Sequence, residues 1–177
     1  MAILGASIIS CDKLDEVVYS SLTDANAFTT GENAQAAVNS IYAPLRSLYR
    51  EPMFYINDIA ADTGFKDGNC FEVMNDEANY VENRTETAWT LLTQIAARAN
   101  IVIDKVPQMS DGLFRNGITK EQLLGEAYFM RAFAYMNLTD IFYRVPLITD
   151  SNIDPTAKEP LASVKDIEKQ IENDLFN

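Results

Sequence analysis

Residues 120–143 read KEQLLGEAYFMRAFAYMNLTDIFY, and the fold class turns on them. Leu123, Ala127, Met130, Ala134, Leu138 and Ile141 recur at intervals of three and four and share one side of a helix. Phe129, Phe133 and Phe142 widen that stripe, so the helix is predicted to be buried on more than one side. Thr119, with Gln122 three residues on, has capping-box spacing and marks the start. The stretch RVPLIT (144–149) that follows reads as extended chain.

Three more helices flank this one. Upstream, Trp89, Leu92, Ala96, Ala99 and Ile103 form a stripe, widened by Ile95, Val102 and Val106, within a helix predicted from Glu86 to Val106 and stopped by Pro107. Earlier still, Thr29 and Glu32 have capping-box spacing before a helix with Ala34, Val38, Ile41, Leu45 and Leu48 on one face and Tyr42 and Tyr49 alongside. Pro44 lies inside that pattern and predicts a kink or break; Pro52 marks the end. Downstream, Ser163 caps a last helix with Val164, Ile167, Ile171 and Leu175 in register.

Between the first two helices, residues 52–84 show no sustained period apart from a possible helical turn around MFYINDIA. They carry Gly64, Gly68 and scattered aromatics, and predict an unusually long irregular connection. With four helices and no repeated strand signal, the expected class is all-α, a helical-repeat scaffold with long irregular loops. No clean period near 34 residues is visible, so any tetratricopeptide relation is degenerate. The apolar stripe of the last helix lacks evident partners, which predicts an N-terminal fragment of a larger fold.

Composition excludes several functions. The 177 residues carry a net charge of −12, against the clustered lysines and arginines that nucleic acid requires. Histidine is absent, which removes Ser-His-Asp and Cys-His catalysis and the commonest zinc ligand from this chain. No metal or cofactor is therefore expected. A carboxylate-based glycosidase needs two acids held about 5–9.5 Å apart in a cleft, which nothing in the helical pattern provides.

The chain start bears on location. AILGASIIS (2–10) is apolar or small and ends at Cys11, and the polar DKLDE follows at once. The sequence IISC resembles a bacterial lipobox, whose cysteine becomes an acylated N-terminus. Residues 1–10 are thus expected to be a signal-peptide remnant, 11–28 a lipid-anchored polar tether, and 29–177 the helical part. Fatty chains on Cys11 would hold the protein to a membrane at about 0.8 kcal/mol per buried methylene. Cys11 and Cys70, the only cysteines, do not read as a disulfide framework.

The stretch LLGEAYFMRAFAYMNLTDIFYRVPLIT (123–149) resembles the signature helix and turn of the SusD/RagB family of outer-membrane nutrient-binding lipoproteins. Glu126, Ala127, Phe129, Arg131, Ala132, Tyr135 and Leu138, then Val145, Pro146 and Leu147, match its pattern in fixed order. CDKLDE resembles the acylated cysteine and acidic tether of that family. AFTTGENAQAAVNSIYAPLR resembles its first helix, WTLLTQIAARANIVIDKVP its second, and SVKDIEKQIENDL the helix after the signature. The chain departs from the family at Tyr143 and Arg144, where members often carry Gly and Asp, and at Tyr128, where a basic residue is common. The resemblance implies a tetratricopeptide-like scaffold, lipid-anchored on the outer face of the outer membrane. It implies oligosaccharide binding without catalysis, and delivery to a TonB-dependent, SusC-like barrel transporter. The competing reading is a helical-repeat protein-docking module with no glycan binding of its own.

Sugar recognition combines aromatic faces with amides, carboxylates and guanidinium groups that bond ring hydroxyls. Within 52–84 the candidates of those types are Asp62, Phe65, Asn69, Phe71, Tyr80 and Arg84, with Asp67 and Asn75 beside them. Trp89 reads as core rather than platform, and Met130 and Met136 as gap-filling core. Glu126 and Arg131, five residues apart, point away from each other and do not form a catalytic pair. Arg131 is expected to tie its helix to neighbouring backbone.

Overall fold

The computed structural model describes residues 27–59, 77–152 and 158–177. Four α-helices carry this part: α1 (Gly31–Arg50), α2 (Glu77–Lys105), α3 (Lys120–Phe142) and α4 (Val164–Phe176). A π-helical turn (Phe54–Ile59) follows α1, and two short 3-10 turns (Val106–Gln108 and Asp111–Leu113) lie between α2 and α3. Among the described residues the only β pairing outside helices is an isolated bridge between Pro146 and Leu161. The architecture is all-α, as the periodicity predicts.

Hydroxyl side chains set three of the helix starts by accepting an otherwise unbonded backbone N–H. Thr119 accepts from Gln122 N at 3.2 Å. Ser163 accepts from Asp166 N at 3.2 Å and donates to the Asp166 carboxylate at 2.6 Å. In α1 the cap is Thr30, one residue later than the expected Thr29; it accepts from Asn33 N at 3.1 Å. Thr29 instead accepts from the Asn33 side-chain amide.

Two expectations about helix limits are corrected. α2 begins at Glu77 rather than Glu86. The stretch EANYVENRT is polar and carries no apolar stripe, so its helicity leaves no periodic trace. α1 continues unbroken through Pro44, which is buried. Proline has no N–H to give the carbonyl four residues back, that of Ser40. Arg98 of α2 reaches across and donates its Nη1 to that carbonyl oxygen. The donor that proline lacks comes from the neighbouring helix.

The helices form two antiparallel pairs. Ser40 meets Arg98 and Glu51 meets Arg84, so α2 runs back along α1. Arg144 meets the Leu161 and Ala162 carbonyls while Arg131 meets Asp174, so α4 runs back along α3. The pairs stack with α1 and α3 parallel and in constant register: Tyr42 to Glu126 and Tyr49 to Phe133 each span 84 positions. Val38, Ile41, Leu48, Leu92, Ile95, Val102, Leu123, Met130 and Leu138 fill the space between them and are fully buried or nearly so. Three side chains depart from their predicted places. Phe129 and Met136 face solvent at 56% and 47% exposure, and Leu175 is 58% exposed while its neighbour Asp174 points inward.

Asp174 is inward because it meets a buried cation. The Arg131 guanidinium donates through Nε to Asp174 Oδ2 at 2.8 Å and through Nη2 to Oδ1 at 2.6 Å. Its Nη1 donates to Asn100 Oδ1 at 2.9 Å, and the Asn100 amide donates onward to Ile148 O at 2.9 Å. Gln170 adds a bond to Asp174, and the Tyr128 ring lies 5.6 Å from the guanidinium carbon. Both ions are buried. Such a pair roughly breaks even against apolar residues, but removal of one partner leaves an uncompensated charge.

Beyond α3 the chain turns at Tyr143 with φ 67° and ψ −68°, and Arg144 N donates to Phe142 O at 2.8 Å. This is a γ-turn with positive φ, strained for any residue with a Cβ. Glycine, with no Cβ, would adopt the same turn without that cost. The strain directs Val145 inward, where it is fully buried.

Three variants test these points by urea unfolding. Arg131→Met should lower stability by about 3–5 kcal/mol, and Arg131→Met with Asp174→Leu should recover most of that loss; equal losses in both would refute the buried-charge account. Tyr143→Gly should raise stability by about 1 kcal/mol, and a decrease would show that the turn is unstrained.

Candidate functional site

The connection predicted to bind ligand leaves α1 and returns to α2 at a small aromatic and charged cluster. Pro52 and Met53 are buried and end α1. The π-helical turn then presents Phe54, exposed, with Tyr55 edge-on at 5.5 Å between ring centroids. Arg84 of α2 places its guanidinium 5.1 Å from the Tyr55 ring centre and pairs with Glu51. π-helical turns are rare and recur at functional positions.

Arg84 is therefore a clamp across the base of the connection. It holds the end of α1, the π-helical turn and the start of α2, and its position is on a helix rather than in the irregular stretch. Tyr80 is likewise helical in backbone, and its side chain lies outside the described residues. Asp62, Phe65, Asn69 and Phe71 lie outside the described residues too, as do Cys11, Cys70 and the boundary expected at residues 10 and 11.

A groove of about 440 Å³ opens between α2, α3 and the extended segment at 145–148. Trp89 stands on its rim, half-buried, with Phe142 edge-on at 5.0 Å and 89°. Trp89 is thus neither full core nor free platform. Ala96, Ala97, Leu138, Val145 and Pro146 make most of the lining apolar. Three of its polar side chains are occupied internally. The Tyr135 hydroxyl donates to Ile148 O and accepts from Ile148 N, both at 2.7 Å. Thr93 donates to Trp89 O at 2.8 Å, and Asn100 is held by Arg131 and Ile148. A surface of this kind suits apolar side chains better than hydroxyl-rich ligands.

The acids are arranged for structure. Glu126 accepts from the Tyr42 hydroxyl at 3.3 Å and from the Gln122 amide at 3.2 Å. Burial, and then the adjacent Glu126 charge, raise the Tyr42 pKa above its usual 10.0. Asp104 binds Lys105 at 2.9 Å and Ser151 at 2.8 Å, and those hydrogen bonds hold its carboxyl below the ordinary range. Among the described residues no three His, Cys, Asp or Glu side chains converge to hold a metal ion. No described helix is long and apolar enough to cross a membrane.

Comparison with known proteins adds a family. Residues 14–177 match the profile of a SusD-like family described as starch-binding and associating with the outer membrane. The chain is also 26% identical, over 173 residues, to a SusD-like protein, P38, from Formosa agariphila. That alignment covers 94% of this chain and 33% of the relative, so the chain spans about a third of the relative's length. No solved structure gives a significant match.

Tyr135 offers a pH test of the groove floor. Burial is the main cause that raises its pKa above 10.0, so the folded protein holds the phenol proton more tightly than the unfolded chain. The corresponding stability is complete below pH 10 and declines as pH rises through the folded value. Tyr135→Phe should lower neutral-pH stability by about 1–3 kcal/mol, since Ile148 loses its partner, and should flatten the decline between pH 9 and 11. An unchanged alkaline slope in thermal melts would contradict this.

Proposed function

The chain belongs to the SusD-like family, and on that premise we propose that it is the N-terminal helical part of an oligosaccharide-binding lipoprotein of the outer membrane. The observation that carries this is the family match over nearly the whole helical region and the tether before it. Acylated Cys11 anchors the protein on the outer face, and the polar stretch after it leads to the helical pairs. The protein binds oligosaccharide and passes it to a TonB-dependent barrel transporter. It works by binding alone: no step needs a covalent bond to break, and this chain contains no histidine to serve as a general base.

The described geometry supports a scaffold role for this part. Arg84, Tyr55 and Glu51 fix the base of the 60–76 segment, whose Asp62, Phe65, Asn69 and Phe71, with Tyr80 on α2, are proposed ligand contacts. The apolar groove beside Trp89 fits the protein-facing side of the same role, as contact surface for the transporter.

Titration calorimetry of the whole gene product against a panel of neutral oligosaccharides tests the binding reading. Saturable heat with at least one member is expected, with Arg84→Ala weakening it several-fold by freeing the end of α1 from α2. Absence of any response across the panel would leave the protein-docking module as the better description.

A further inference from the structure

The turn RNGI (115–118) leads into α3, and its central residues are the only Asn-Gly pair in the chain. Asn116 and Gly117 both have positive φ, 59° and 83°, and Ile118 N donates to Arg115 O at 3.1 Å. Positive φ at both central residues marks a type I′ turn, for which Asn-Gly is the favoured pair. The turn is tied to the start of α1, where the Asn116 amide donates to Glu32 at 3.1 Å. The residues before it pack there too: a Cβ on Gly31 would meet Leu113 O at 2.9 Å. On the other side Lys120 binds Asp111 at 2.7 Å and lies 5.7 Å from the Phe114 ring centre.

The same pair is open to attack by the chain on itself. The electrophile is the amide carbon Cγ of Asn116, and the nucleophile is the backbone nitrogen of Gly117, which has no side chain to obstruct it. Once that nitrogen loses its proton to base, it bonds to Cγ. The Cγ–Nδ2 bond breaks, and Nδ2 takes up a proton and leaves as ammonia. Water then opens the cyclic imide at either carbonyl. One opening restores the main chain with an aspartate; the other leaves an isoaspartate, whose main chain is longer by a methylene. Water is the sole co-reactant.

The fold opposes the first step. Ring closure needs the Gly117 nitrogen and the Asn116 Cβ on the same side of the Cα–C bond. A left-handed residue has ψ at roughly +47°, which puts the next nitrogen on the far side. Glu32 also holds the amide itself. The reaction therefore waits on local opening of the turn. Its product reverses the tether, because a donor amide becomes a carboxylate facing the Glu32 carboxylate. Isoaspartate breaks the turn geometry as well.

We infer that Asn116 is a deamidation site restrained by its type I′ turn and by Glu32, and that its modification releases the connection before α3 from the start of α1. This stands apart from the glycan-binding reading, since it needs neither a ligand nor a docking partner.

The experiment incubates the whole gene product at mildly alkaline pH, native and in guanidinium chloride, and follows the peptic fragment containing Asn116 by mass. Deamidation adds one mass unit, whereas isomerisation at the nearby Asp111 and Gly112 adds none. Denatured protein should gain that mass several-fold faster than native protein, and the fragment should accept methyl groups from an isoaspartyl methyltransferase. Glu32→Ala should speed the native reaction several-fold at unchanged helix content by circular dichroism. Glu32→Gln keeps an acceptor and should stay near the wild-type rate. Gly117→Asn keeps a residue tolerant of positive φ and should suppress the mass gain in both states. Asn116→Asp should lower the melting temperature more than Asn116→Ser, by a gap that added sodium chloride narrows. No mass gain in the denatured protein, or an undiminished gain in Gly117→Asn, would overturn the site. Equal native and denatured rates would overturn the restraint by the fold. Slowing in both Glu32 variants would show the carboxylate acting as a base, and would overturn its restraining role. Equal melting temperatures for Asn116→Asp and Asn116→Ser would overturn release by charge.

Discussion

A single guanidinium holds three elements of this structure together. Arg131 of α3 is buried, and its donors are divided between Asp174 on α4 and Asn100 on α2. Through Asn100 the network reaches Ile148 in the extended segment, where Tyr135 binds the same residue from α3. Its contribution lies less in net energy than in uniqueness. An apolar helix such as α3 can slide or rotate against apolar neighbours at small cost, but a buried charge has one acceptable partner geometry. The register of α3 against α4 and α2 follows from that constraint.

Once the register is set, other local oddities become intelligible. Pro44 leaves the Ser40 carbonyl without its helical donor, and Arg98 supplies one because α2 passes at the correct height. Tyr143 adopts a positive φ because the chain must reverse within one residue of the α3 end to bring Val145 into the core. The constant offset between α1 and α3 then places aromatic rings from distant parts of the sequence on one surface. The surface is a consequence of helix stacking rather than of any one segment.

Much of this was legible in the sequence, and the failures have physical causes. The stripes of α1 and α2 are strong because each helix buries one broad face, α3 is buried on more than one side as its breadth of apolar residues predicts, and Thr119 and Ser163 cap as their spacing predicts. Asp174 was missed because periodicity favours Leu175, and only a buried arginine on another helix makes a carboxylate the better inward residue. The first turns of α2 were missed because polar helices carry no apolar signal. Phe129 and Met136 were assigned to core because hydrophobicity reports what can be buried, not whether a neighbour is present to bury it. Of the candidate ligand residues in the connection between α1 and α2, Arg84 alone has a described side chain, and its contacts with Glu51 and Tyr55 join segments that no local pattern links. The contacts of Tyr42 with Glu126 and of Tyr49 with Phe133 join residues 84 positions apart, a relation that no local pattern contains.

The proposed binding role and the scaffold meet in one requirement: the helical pairs must behave as a single rigid unit. Native-state hydrogen exchange of the whole gene product measures this directly. The account predicts that buried amides of α2, α3 and α4 open together with one common free energy. Amides of α4 exchanging well ahead of those in α2 and α3 would show that the Arg131 network does not unite them, and would contradict the account.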